Sequence, residues 1–291
     1  MKADQRFMKQ PKNFWANVRS LSQKLGYTER GTGQIKVFGI KDIVLGLKQL
    51  GLSTAHVTNA KGDPTEFGRT LHDYFAHRAK VLNDYVRPRL MDKEKAAKEF
   101  GALYKKLQPK CAIPMNKQKG DKKGEAYLTG IINMLVEKGI GTLACDYDPR
   151  VLTTITRDGV PVRTLSRRVD GAFPSSINPI AIWEVKEYYN TKTFGSRVAD
   201  GVYETLLDGM ELEELFEHEK ILVEHLLMVD DEFTWWQCGR SYLCRIIDML
   251  HMGYVDEVLF GYEVIERLPG IAKDWAKVYQ GRAKATAQVK K

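Results

Sequence analysis

Apolar residues recur at helical spacing through the first third of the chain. Phe14, Val18, Leu21 and Leu25 predict one helix, with Gly26 behind it as a stop. Ile43, Val44, Leu47 and Leu50 line one side of a second helix over 41–50, which Gly51 ends. Asp63-Pro64-Thr65-Glu66 reads as a start signal. Asp63 serves as the cap, Pro64 takes the first helical position, and Glu66 reaches back to the cap. Phe67, Leu71, Phe75, Val81, Leu82 and Tyr85 carry that third helix up to Pro88, and a fourth is expected over 93–107. The segment 41–57 has the cadence of a helix, a tight Gly51-Leu52-Ser53 turn and a second short helix. That is either a helix-turn-helix reading a DNA groove or an ordinary helical hairpin.

The pattern changes after residues 116–124, NKQKGDKKG, a polar, basic, glycine-bearing stretch that is either a linker or a mobile loop touching phosphates. A helix is predicted over 125–138, with Leu128, Ile131, Ile132, Leu135 and Val136 facing the core. Strands follow over 151–155 and 160–165 around an Asp158-Gly159 hairpin turn, then over 168–173 and 179–188. A helix over 196–207, a strand over 221–229, a helix over 241–252 and a strand over 257–264 complete the order. Such a series predicts an α/β chain of the α+β kind, a mixed sheet flanked by helices. The expected division is a basic helical domain over 1–115 and a sheet-bearing domain over 116–291 that ends in a basic tail.

Composition narrows the function. Of the 291 residues 43% are hydrophobic and 28% charged, as in a globular protein with a sizeable core. No apolar run approaches the roughly 18 residues that a membrane helix needs. The N-terminal stretch has no apolar signal core, so a cytoplasmic protein with no membrane partner is expected. The four cysteines match neither a zinc site nor a disulfide framework. The net charge of +8 is uneven: residues 1–122 carry 25 Lys and Arg against 11 Asp and Glu, and the remainder carries 20 against 26. A basic N-terminal part points to a polyanion such as nucleic acid.

Candidate chemistry sits in Val169-Asp170-Gly171-Ala172 and Trp183-Glu184-Val185-Lys186. On a strand, Glu184 and Lys186 share a face while Trp183 and Val185 point the other way. Asp170 reaches Glu184 if the two segments pair across a hairpin. Two adjacent carboxylates repel unless a cation lies between them. Mg²⁺ suits them, because it takes one or two carboxylates with water and a phosphate oxygen. Bound Mg²⁺ polarises a phosphoryl group and acidifies a water. Lys186 is placed to orient or deprotonate that water or to stabilise developing negative charge, and the Val185 carbonyl offers a further ligand.

These residues, with their preceding helix, hairpin, apolar strand and following helix and strand, resemble the PD-(D/E)xK nuclease superfamily. Asp170, Glu184 and Lys186 match its motif residue by residue, and Val169 stands where the family often has proline. The resemblance implies a restriction-endonuclease-like core, helix–three strands–helix–strand. It implies Asp170, Glu184 and Lys186 as catalytic residues, with Asp170, Glu184 and Val185 holding Mg²⁺. It also matches Glu125 to the acidic residue that many members carry on the first core helix; a glutamate there is equally favourable to the helix dipole. The segment 167–209 and the opening FWANVRSLSQKLGYTER resemble type II restriction endonucleases. The activity so implied is Mg²⁺-dependent, sequence-specific hydrolysis of double-stranded DNA by a homodimer, with a cognate methyltransferase expected as companion.

Around the motif, Lys192, Thr193, Ser196 and Arg197 form a polar, glycine-bearing exit leading into a helix, either a phosphate-holding loop or a solvated one capped at Ser196. Arg168 is expected on the face of Asp170, neutralising a carboxylate or touching DNA, and Arg167 is expected to point away. Trp235, Trp236 and Tyr242 are either stacking platforms for bases or core. His218, His225 and His251 lack metal-ligand spacing. Two other functions fit the same residues: a repair or junction-resolving nuclease that recognises DNA shape, and a non-catalytic DNA-binding protein on the same scaffold.

Overall fold

The computed structural model describes residues 1–8, 10–118, 121–190 and 195–289. Along the chain run α1 (Gln5–Met8), α2 (Lys12–Leu25), α3 (Ile40–Gln49), α4 (Glu66–Lys80), a π-helical stretch Val81–Val86, and α5 (Lys93–Leu107). Next come β1 (Met115–Gln118), β2 (Asp121–Glu125), α6 (Tyr127–Ile140), β3 (Thr154–Arg157), β4 (Val160–Thr164), β5 (Gly171–Phe173) and β6 (Ala181–Glu187). The chain ends with α7 (Ser196–Glu219), β7 (Glu224–Asp230), α8 (Arg240–Met252), β8 (Glu257–Phe260) and α9 (Glu263–Val289). None of the helices among the described residues is long and apolar enough to cross a membrane.

The chain folds as a mixed α/β protein in two compact units, Ala3–Pro88 with Trp235–Gly253, and Met1–Lys2 with Arg89–Thr234 and Tyr254–Lys291. This differs from a single cut near residue 116. Helix α5 belongs with the sheet, because Ala96 and Phe100 pack into the same core as α6. Helix α8 returns to the N-terminal helices, because Asp248 is the buried counter-ion of Arg78. The charge redistributes accordingly. The first unit carries 16 Lys and Arg against 8 Asp and Glu, and the second carries 29 of each, so the whole net charge of +8 lies on the helical unit.

In the helical unit, Phe14, Val18 and Leu21 of α2 meet Ile43 and Leu47 of α3 and Leu71, Tyr74 and Phe75 of α4 in one core. Arg78 is fully buried and both oxygens of Asp248 accept from it at 3.0 Å, while Ser22 and Tyr74 complete the network. Helix α3 has no second helix behind it. Residues 51–65 are turns and an isolated bridge, Thr58 to Pro64, so neither the helix-turn-helix nor the helical hairpin is formed. The cap of α4 is Thr65 rather than Asp63. Its hydroxyl accepts from the Gly68 N–H, because Pro64 is held in that bridge. Trp235 and Trp236 are buried, in keeping with core.

The second unit is built on a four-stranded sheet of order β5-β6-β7-β8. Strands β5 and β6 pair antiparallel, whereas β6, β7 and β8 run parallel. Strand β6 is central and buried along most of its length, hence its apolar opening Ala181-Ile182-Trp183. Strands β3 and β4 form their own two-stranded ladder, turned by Asp158 and Gly159, both at positive φ. So only β5 and β6 precede α7 within the main sheet. Residues 116–124, expected as a linker or a phosphate-touching loop, fall mostly in the antiparallel β1–β2 pair, with Lys119 and Gly120 outside the described residues. The last strand ends at Phe260, and Gly261 at positive φ turns the chain into α9 instead of a tail. Val264, Leu268, Ala272 and Trp275 of α9 pack against α6 and the sheet core.

Candidate active site

The site begins with a constraint on backbone. Gly171 opens β5 opposite Trp183, and a side chain at Gly171 would overlap the indole of Trp183. That indole is itself stacked on Trp275, with centroids 5.6 Å apart and planes 9° apart. The close approach pulls Asp170 against β6. The Asp170 N–H donates to the Trp183 carbonyl at 3.1 Å, and Asp170 Oδ2 accepts from the Val185 N–H at 2.7 Å. The carboxylate is thereby clamped over the backbone that carries Glu184.

Glu184 is fully buried and Lys186 is 7% exposed. The Lys186 Nζ donates to Glu184 Oε2 at 2.9 Å, and to Glu204 Oε2 of α7 at 3.3 Å. The lysine stem is held by close packing under α7, where a methyl at Gly201 would lie 3.0 Å from Lys186 Cδ and 3.1 Å from Cε and Tyr188 Oη. The next residue, Glu187, accepts from the Thr129 N–H and hydroxyl at 3.0 Å. It thus caps the start of α6 and ties that helix to β6.

Arg167 enters this cluster, contrary to the expectation that it points away. Its Nη1 lies 2.8 Å from Glu184 Oε1 and 2.6 Å from Asp208 Oδ2, and its Nη2 donates to Glu184 Oε2 at 3.0 Å. Residues 165–170 are not strand, so two-residue alternation does not extend upstream of Gly171 and the faces of Arg167 and Arg168 are exchanged. Arg168 is exposed and makes no ion pair, hydrogen bond or ring contact among the described residues.

The electrostatics show surplus negative charge. Burial, and then the charge of Glu184, push Asp170 up to about 7. The same two causes push Asp208 up to about 7. Burial works against ionised Glu184, yet Lys186 and Arg167 outweigh it and hold its carboxyl below the usual range. Burial likewise opposes the charge on Lys186, but Glu184 and Asp170 raise it above an ordinary lysine. Four carboxylates, Asp170, Glu184, Glu204 and Asp208, thus face two cations, Arg167 and Lys186. Asp208 Oδ1 is buried with no hydrogen-bond partner among the described residues.

This donor set fits a hard divalent cation, because an added positive charge would relieve the strain on Asp170 that Lys186 and Arg167 leave. Among the described residues no three His, Cys, Asp or Glu form a ready-made metal cage. Asp170 and Glu184 are a carboxylate pair, which suffices for Mg²⁺ with water as its other ligands.

The other expected site residues fall elsewhere. Glu125 ends β2 and is exposed, because Ala126 is the cap of α6 and the helix starts at Tyr127. Its expected place on the first core helix is therefore not met. Lys192 and Thr193 lie outside the described residues. Ser196 is the exposed first residue of α7, whose cap is Gly195 with no side-chain bond. Arg197 follows on α7, and its side chain is outside what is described. Sequence reasoning missed Glu204 and Asp208. Their spacing of four on one helix was a usable signal, since i and i+4 share a face.

No curated protein matches the chain, and no solved structure does. Two family models match, each described only as a domain of unknown function. DUF7690 matches residues 1–85 and DUF7687 matches residues 91–275, so their border falls where the two compact units divide, after Pro88. The second match spans well over half of the sequence, and the chain belongs to the DUF7687 family.

Proposed function

We propose that the protein is a Mg²⁺-dependent endonuclease of the PD-(D/E)xK kind, cutting double-stranded DNA in the manner of a type II restriction enzyme. The observation that carries this reading is the clamp of Asp170 onto the Val185 N–H beside buried Glu184, with the Lys186 ammonium on Glu184. The helix–strands–helix–strand order of α6 through β7 supports a restriction-endonuclease-like core.

Asp170 and Glu184, with the Val185 carbonyl, would hold Mg²⁺, which when bound supplies a Lewis acid and an acidified water. Lys186 is an ammonium beside two carboxylates, so its contribution is to orient the attacking water and to offset charge on the phosphate. Arg167 keeps Glu184 and Asp208 in place. The helical unit, with its whole surplus of positive charge, supplies attraction to the duplex. Cutting both strands calls for two copies of the site and hence a homodimer.

The test is incubation with plasmid DNA of known sequence, with and without Mg²⁺, beside Lys186→Ala. Discrete Mg²⁺-dependent fragments that the variant does not make are the expected result. Smeared products would replace the restriction reading with a shape-directed nuclease. Tight binding without cleavage on diverse DNAs would overturn the catalytic reading.

A further inference from the structure

One cleft opens beside the cluster, with a volume of about 850 Å³. Its lining includes Arg150, Val151, Leu152, Arg167, Arg168 and Ile177, all in the sheet-bearing unit. Two features are unusual for an idle surface. Arg168 is exposed with no ion pair, hydrogen bond or ring contact among the described residues, although this unit carries as many acids as bases. Among the described residues Arg150 pairs only with Asp148, where both side chains are more than two-thirds exposed, a contact that a stronger anion readily displaces. The same cleft is lined by three exposed aliphatic side chains, Val151 at 58%, Leu152 at 41% and Ile177 at 49%.

Cations that lack buried counter-ions, set around an apolar shelf, fit a ligand that is anionic along one edge and apolar along its face. A nucleotide within a DNA strand has that form, with its phosphate beside its sugar and base. Arg167 fixes where this ligand starts. One side of its guanidinium holds Glu184 and Asp208, and the residue also lines the cleft, so cleft and cluster are continuous. Arginine suits the task better than lysine because its planar fork matches two phosphate oxygens.

We propose that this cleft is the track of the cut DNA strand next to the reacting phosphodiester. Arg168 and Arg150 hold a backbone phosphate of the flanking nucleotide, and Val151, Leu152 and Ile177 carry its sugar and base. The assignment rests on the nuclease reading of the adjoining cluster and adds to it the residues that aim the strand.

The test measures binding of a short labelled DNA strand and its duplex to the full chain in chelator, across a salt series. The proteins are wild type, Arg168→Ala, Arg150→Ala/Arg168→Ala and Leu152→Ser, with Arg157→Ala as a control outside the cleft. Removing one arginine–phosphate interaction lowers the slope of log affinity against log salt by about one. The expected result is a drop of about one for Arg168→Ala and a further drop for the double variant, with Arg157→Ala unchanged. Leu152→Ser is expected to weaken binding at an unchanged slope. Wild-type slopes in both arginine variants, or an equal drop in Arg157→Ala, would overturn the track. If the same variants still cut plasmid as wild type does, the nuclease reading survives that failure. If wild type neither binds nor cuts DNA, both fall together.

Discussion

The Val185 backbone N–H donates to Asp170 Oδ2 at 2.7 Å, so β6 itself holds the carboxylate beside Glu184. An asparagine at this position keeps an oxygen acceptor for that N–H and loses the charge. Burial and Glu184 raise Asp170 from 3.8 to about 7, so the folded chain binds this proton more tightly than the unfolded chain. The stability gained from the proton is full below about 4 and is lost as pH rises through about 7. At pH 8 Asp170→Asn is therefore expected to be more stable than wild type, on the order of a few kcal/mol. Added Mg²⁺ should raise the melting temperature of wild type and leave that of the variant unchanged. Thermal melts at pH 8 with and without Mg²⁺ check both; an equal Mg²⁺ shift in the variant would remove Asp170 from the cation site.

Arg167 touches both Glu184 and Asp208, whose side chains are fully buried. Replacing it by methionine leaves two buried carboxylates with only Lys186 near Glu184. Removing one partner of a buried pair costs about 3–5 kcal/mol. The loss should shrink toward pH 5, because Asp208, which burial and Glu184 push up to about 7, is then protonated. Adding Asp208→Asn should recover part of it at pH 8. Urea unfolding of the three proteins at two pH values is the measurement, and a loss independent of pH would show that packing, not charge, is what Arg167 supplies.

Two glycines make different predictions. A side chain at Gly171 meets the rigid indole of Trp183, which is wedged against Trp275, and cannot be accommodated by a rotamer change. Gly171→Ala is expected to destabilise the chain by about 1–3 kcal/mol or more. At Gly201 an added methyl lies 3.0 Å from the Lys186 stem, and that side chain can shift by a few tenths of an ångström. Gly201→Ala should therefore cost less stability than Gly171→Ala, with the Lys186 ammonium shifted slightly but still paired with Glu184. Under the proposed function it cuts DNA more slowly, while its melting temperature falls less than that of Gly171→Ala. A variant that cuts as wild type does would mean that the ammonium position is not limiting.

The sequence disclosed those parts of the fold in which local chemistry and tertiary structure agree. Helix α2 and the β3–β4 hairpin were legible because apolar spacing and an Asp158-Gly159 turn specify them without distant partners. Glu184 and Lys186 were legible because β6 is a regular strand, on which period-two alternation holds. Arg167 and Arg168 were exchanged because the chain just before β5 is not strand, and the close approach of Gly171 to Trp183 sets its path. Helix α9 was hidden by Pro269, a usual breaker, although Val264, Leu268, Ala272 and Trp275 keep helical spacing across it. The place of α8 could not be read locally, since it depends on Asp248 meeting Arg78, 170 positions away in sequence.

A last buried acid lies outside the candidate site. Asp230 ends β7 and is fully buried. Its Oδ1 accepts from the Met91 N–H at 2.7 Å and the Asp231 N–H at 2.9 Å, and its Oδ2 accepts from the Tyr189 hydroxyl. Burial nevertheless wins over these donors and pushes Asp230 up to about 7. The folded chain again holds the proton more tightly, so this residue's contribution to stability is present below about 4 and falls as pH rises to about 7. Asparagine there keeps an oxygen for the two backbone donors and turns an amide toward the tyrosine oxygen. Asp230→Asn is expected to be less pH-sensitive than wild type. The difference in unfolding free energy, variant minus wild type, should rise by up to about 1.4 kcal/mol per pH unit between pH 5 and 7 and level off above it. Urea denaturation across that interval measures it. A difference that stays flat with pH would mean that the three hydrogen bonds keep Asp230 ionised throughout.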